Sequence, residues 1–136
     1  MAYANPTLSY PKPRATLQKI IPFARTDNAT PRAWLPRDAV VTGVHIYQAT
    51  AAVTGAATVS VGLGASNTAL VNAFSLPTSS VGLQNAGAQI GTSYLTKLAN
   101  DVPVTTTYAV GTSTAGGTGW VIIDYFVAGP GEANDD

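Results

Sequence analysis

Beyond Asp38 the chain is written in short apolar runs cut by glycine, serine, asparagine and proline, and within the runs apolar residues recur with a period of two. Period two is what an extended strand buried on one face requires, because successive side chains point to opposite sides. Residues 40–50 set Val40, Val44 and Ile46 on one face against Val41, His45 and Tyr47 on the other. Residues 57–64 alternate Val59, Val61 and Leu63, and the connection 65–68 leads into a second run, 69–76, so the two read as a hairpin that Pro77 ends. Residues 93–98, 102–110 and 119–128 read as an antiparallel meander that turns at Asn100 and Asp101 and again at 111–118. Between them, residues 78–92 are rich in Ser, Gly, Asn and Gln and read as a long surface loop with one weak strand at most. No helical period and no internal repeat is present. The fold expected is all-β, an antiparallel β-sandwich or jelly roll of eight strands.

At 136 residues the chain is one domain. A chain of this size buries roughly two-thirds of its unfolded surface, so a hydrophobic core suffices without metal or disulfide staples. The absence of cysteine excludes disulfides, thiolate metal sites and cysteine nucleophiles together. Charged residues are 10% of the chain, against about 25% in an ordinary soluble domain. So little charge suggests that part of the surface is covered by a partner. The most apolar stretch, residues 120–128, is short and carries Asp124, so no membrane helix is expected. The first residues lack an apolar signal core, which points to synthesis in the cytoplasm.

The net charge of zero hides a split. Residues 1–37 hold Lys12, Arg14, Lys19, Arg25, Arg32 and Arg37 against Asp27 alone, a net of +5, so the remainder carries −5. The same 37 residues hold six of the nine prolines, a density that forbids long helices and discourages central strands. They read as an extended basic arm, followed by a β domain over residues 38–129 and an acidic tail over 130–136. Leu17, Ile20, Ile21 and Phe23 give the arm apolar anchors, as in a segment that orders on an acidic partner. Its basic residues are too sparse to track a nucleic-acid backbone.

The last strand departs from one-sided burial. Val121, Ile123, Tyr125 and Val127 make one apolar face, yet the other carries Trp120, Ile122 and Phe126 around Asp124. Two apolar faces imply cover on both sides, and a neighbouring subunit is the expected cover, which makes Trp120, Ile122, Asp124 and Phe126 the candidate oligomer interface. Catalytic groupings are not found. His45 is the only histidine and sits mid-strand, no GxSxG nucleophile elbow occurs, and the few acids are scattered. Zinc and calcium ligand patterns are missing as well, so neither catalysis nor a cofactor or metal is expected.

The order of parts resembles a known class. A proline-rich basic segment, then VVTGVHIYQAT, TVSVGLGASNTALVNAF, a small-residue loop, LTKLANDVPVTTTYAV and GTGWVIIDYFVAG are similar to small jelly-roll proteins of tailed bacteriophages that decorate or cement the capsid exterior. The resemblance covers roughly residues 38–128 and includes the pattern Gly117, Gly119, Val121, Ile123, Tyr125. It implies a non-enzymatic structural protein of the virion, a homotrimer seated where capsomers meet that clamps neighbouring major capsid protein subunits. In that setting Lys12, Arg14, Lys19, Arg25, Arg32 and Arg37 would pair with acidic capsid surface, while Leu17, Ile20, Ile21 and Phe23 add groove contacts. The rival expectation is a receptor- or glycan-binding jelly-roll module of a phage fibre or tail, with Tyr47, Tyr94 or Tyr108 as its aromatic platform.

Overall fold

In a computed structural model the described residues are 16–85 and 96–128. They form eight strands and no helix: β1 (Leu17–Phe23), β2 (Thr30–Leu35), β3 (Ala39–Gln48), β4 (Ala57–Leu63), β5 (Ser66–Leu76), β6 (Gly82–Asn85), β7 (Val102–Ala109) and β8 (Gly119–Val127). Two four-stranded sheets result, ordered β1-β8-β3-β6 and β2-β7-β4-β5, with antiparallel pairing throughout. The first strand pairs with the last, the second with the seventh, the third with the sixth and the fourth with the fifth. That wrapping is a jelly roll.

The core lies between the sheets. Ile21, Phe23, Val41, Val44, Ile46, Val121, Ile123 and Tyr125 come from one inner face, and Leu35, Val59, Val61, Phe74, Leu76, Val104 and Tyr108 from the other. Valine and isoleucine dominate because β-branched side chains pack well on a pleated surface.

Residues 17–35 are therefore not an arm. Leu17–Phe23 and Thr30–Leu35 are β1 and β2, and Ile21 and Phe23, expected as partner anchors, are core residues 4% exposed. Their prolines are accommodated because β1 and β2 are edge strands, each hydrogen-bonded on one side only, where a missing N–H costs no ladder bond. Of the expected arm, residues 1–15, with Lys12 and Arg14, lie outside the described residues, as do residues 129–136.

Two further expectations are corrected. β3 shifts register between Val41 and Gly43, and the extra residue of that bulge moves Val41 inward beside Val44 and Ile46 while Val40, His45 and Tyr47 face out. The strands β7 and β8 are not a hairpin: β7 pairs with β2 and β4, β8 with β1 and β3, and residues 110–118 cross between the sheets. Within 96–98 the chain makes only an isolated bridge, Lys97 to Val40, and residues 93–95 lie outside the described set. The β4–β5 hairpin is as expected but tighter, with Leu63 already paired to Ser66 and Gly64 at φ +59° in the turn. The weak strand of the 78–92 region is β6.

Placing Phe23 in the core has a measurable consequence. Phe23→Ala should lower the urea unfolding free energy by about 3–5 kcal/mol, the usual cost of emptying a buried aromatic site. A loss near zero would return these residues to a solvated arm.

Candidate functional site

The pairing register lays the outward side chains of the β1-β8-β3-β6 sheet in rows. Pro22, Trp120, Tyr47 and Leu83 form one row, with Ile20, Ile122 and His45 next and then Gln18, Asp124 and Gly43. Phe126 lies beside Val40 in the last row. Leu83 is 65% exposed, Ile20 59%, Trp120 42% and Tyr47 40%, while Val40, Ile122 and Phe126 are half-buried. The Trp120 and Tyr47 rings lie 5.7 Å apart, tilted by 45°, a separation typical of favourable aromatic pairs. An apolar stripe thus crosses all four strands, and the expected interface residues of β8 are its middle.

The opposite sheet shows what an ordinary wet face looks like in this protein. Its outward positions include Thr58, Ser60, Ser75 and Thr107, hydroxyl side chains that water or local hydrogen bonds satisfy; the Ser60 hydroxyl accepts from the Ala73 N–H at 2.9 Å. Its exposed exception is Trp34 on edge strand β2. Apolar side chains are concentrated on one outer face, which is how contact surfaces differ from scattered exposed hydrophobes.

One polar group sits within the stripe. Asp124 accepts a hydrogen bond from the Gln18 amide at 2.9 Å, and its other carboxylate oxygen lies 3.9 Å from His45 Nε2. Gly43 leaves space for them, since a Cβ there would approach Asp124 Oδ2 to 3.3 Å. Among the described residues Asp124 is thus partnered by Gln18, with the His45 ring beside it. The pair lies on an open sheet face. Among the described residues no cluster of three metal-ligating side chains exists, and no helix is long and apolar enough to cross a membrane.

Two arginines expected to face a partner are committed inside the fold. From the turn after β1, Arg25 donates to the Ser113 hydroxyl at 2.9 Å, to the Ser113 carbonyl at 2.8 Å and to the Gly116 carbonyl at 3.0 Å, and its guanidinium lies 5.6 Å from the centre of the Tyr108 ring. Arg32 is bound to the buried carboxylate of Asp27, which also accepts from the Ala24 N–H at 2.9 Å and the Thr106 hydroxyl at 2.6 Å. Tyr108 is buried and donates to the Gly117 carbonyl at 2.7 Å, so it offers no exposed platform. Tyr94 lies outside the described residues. Lys19 is half-buried on β1, Leu17 is exposed at its start, and Arg37 is exposed with its Nε 3.8 Å from Asp38. Sequence reasoning missed the Asp27 and Arg25 latches because isolated basic residues default to the surface. A weak signal was present in Asp27 itself, the single acid among the first 37 residues.

A scan of protein-family models, a search of curated proteins and a search of solved structures each found no match to this chain.

Burial of Asp27 works to raise its pKa, but the hydrogen bonds from Thr106, Ala24 and Arg32, with the Arg32 charge, outweigh it and hold the carboxyl below its ordinary 3.8. A depressed folded pKa stabilises the protein above the unfolded value, and that stability is lost as pH falls through the folded value. Asp27→Ala should cost about 3 kcal/mol at neutral pH, as expected for breaking a buried pair. The variant should also show a shallower loss of urea stability below pH 4 than the unaltered chain; parallel acid profiles would contradict the assignment.

Proposed function

We propose that this chain is a structural protein of a virion, a decoration or cement protein that sits on the capsid exterior as a homotrimer and clamps neighbouring major capsid subunits. The observation that carries the reading is the apolar stripe through Ile20, Trp120, Ile122, Tyr47 and Leu83 on an otherwise hydroxyl-rich small jelly roll. A sheet of this kind hides such a face against another protein, and a binder repeated over a symmetric shell gains avidity from many weak contacts. With Arg25 and Arg32 consumed internally, the cations left for an acidic capsid surface are Lys12, Arg14, the half-buried Lys19 and the exposed Arg37, which also lies near Asp38.

The exposed Tyr47 and Trp120 rings also favour a second reading, a receptor- or glycan-binding module, because stacked sugars need such rings. The two are separated by co-sedimentation with capsid shells of the source particle, run beside a glycan array. Binding to shells that weakens with added salt and no array signal fits the cement protein; array binding lost in Trp120→Ala without shell binding fits the glycan module.

A further inference from the structure

The stripe is too small to hold two rigid subunits together. Its four strands lie about 4.8 Å apart and the run from Trp120 to Phe126 rises about 3.3 Å per residue, which gives roughly 15 by 20 Å, or about 300 Å². A stable contact between two copies draws roughly 800 Å² from each partner. A slender occupant fits better, and the stripe sets the Trp120 and Tyr47 rings beside Pro22; exposed aromatic rings of this kind are what proline-rich segments dock on in the polyproline II conformation.

The chain carries such a segment. Residues 1–15 hold Pro6, Pro11 and Pro13 with the apolar side chains Tyr3, Leu8 and Tyr10, and no acid. In polyproline II form, fifteen residues span roughly 46 Å, more than twice the stripe's length. Charge is complementary as well: the stripe's one acid is Asp124, and the segment carries Lys12 and Arg14.

Direction decides which copy receives it. β1 begins at Leu17 beside Tyr125 and runs to Phe23 beside Gly119, so the segment before it is tethered at the Phe126 end of the sheet, opposite Trp120 and Tyr47 of the same subunit. Folding back would need a reversal at residues 14–16, Arg-Ala-Thr, which offer no glycine, asparagine or proline for a tight turn. Pro11 and Pro13 bias Tyr10 and Lys12 to extended backbone. We infer that residues 1–15 of one subunit dock on the outer β1-β8-β3-β6 face of a neighbouring copy, laying prolines and Tyr10 against Trp120 and Tyr47 with Lys12 and Arg14 toward Asp124. This contact is heterologous, segment to face, so repetition about a threefold axis closes a ring in which every stripe is covered. The inference rests on reading this face as an assembly surface, and it names the occupant.

The test compares the full chain with its Tyr3→Ser, Leu8→Ser, Tyr10→Ser triple variant by sedimentation velocity, in a Trp34→Phe background that leaves Trp120 the only tryptophan. The unaltered segment should give three times 13.9 kDa and the triple variant 13.9 kDa at the same concentration. A synthetic peptide of residues 1–15, added to the triple variant, should shift Trp120 emission to shorter wavelength. If the triple variant keeps the trimer mass while Trp120→Ser loses it, the segment is not the occupant although the face still assembles. Should Trp120→Ser keep the mass too, the assembly reading of the face falls with it. A single-chain mass for the unaltered segment with Trp120 already shielded would mean docking on its own subunit, and would also overturn the inference.

Discussion

The antiparallel pairing of β1 with β8 is the contact on which the rest of the structure depends. It joins residues about a hundred positions apart, from Leu17 with Tyr125 to Phe23 with Gly119, and so closes the wrap that brings each earlier strand beside its later counterpart. The pairing puts Ile21 and Phe23 into the core beside Val121 and Ile123. On the other side of the same strands it aligns Pro22 with Trp120 and Ile20 with Ile122. The closed core and the exposed stripe are therefore two faces of one register, and a slip of one residue would exchange them.

The loops that follow from this wrap are held by polar contacts. Arg25 ties the turn after β1 to residues 113–116, Asp27 ties it to Arg32 and to Thr106 of β7, and hydroxyl pairs link Thr50 to Thr118 and Thr54 to Thr114. Few charges are present, and several are spent on cross-linking one end of the sandwich. Among the described residues the rows from Trp120 to Asp124 on the outer face hold one acid, Asp124, amid apolar side chains, which suits them to an apolar or proline-rich occupant.

How much of this was legible in the sequence depended on how each strand is buried. β3, β4, β7 and β8 are flanked by strands on both sides, and alternating apolar side chains, clearest at Val59, Val61 and Leu63 of β4 and at Val121, Ile123 and Tyr125 of β8, announce them. β1 and β2 were hidden because edge strands tolerate Pro22 and Pro31, and prolines weigh heavily against a strand when its place in the sheet is unknown. β6, four residues long, is too short to show a period. The β3 bulge inverted the predicted faces of Val40 and Val41, since one inserted residue reverses every alternation on one side of it. That β7 and β8 belong to different sheets could not be read at all, because a connection that arches between sheets has the same Gly, Ser and Thr content as a hairpin loop. Trp120, Ile122 and Phe126 were legible for the opposite reason: a strand apolar on both faces leaves a local signature. Their row partners Tyr47, Leu83 and Ile20 come from three other strands and needed the register to be found.

The central claim is that the outer β1-β8-β3-β6 face is an assembly surface whose side chains contribute little to the stability of a single subunit. The most direct measurement is the mass and thermal midpoint of the full chain beside its Tyr47→Ser, Leu83→Ser variant, taken at a concentration where the unaltered chain is assembled. The account predicts that the variant falls to the mass of one chain yet, at a dilution where both are single chains, unfolds at a midpoint within a few degrees of the unaltered protein. An unchanged mass, or an equal mass loss accompanied by collapse of the single-chain midpoint, would contradict it.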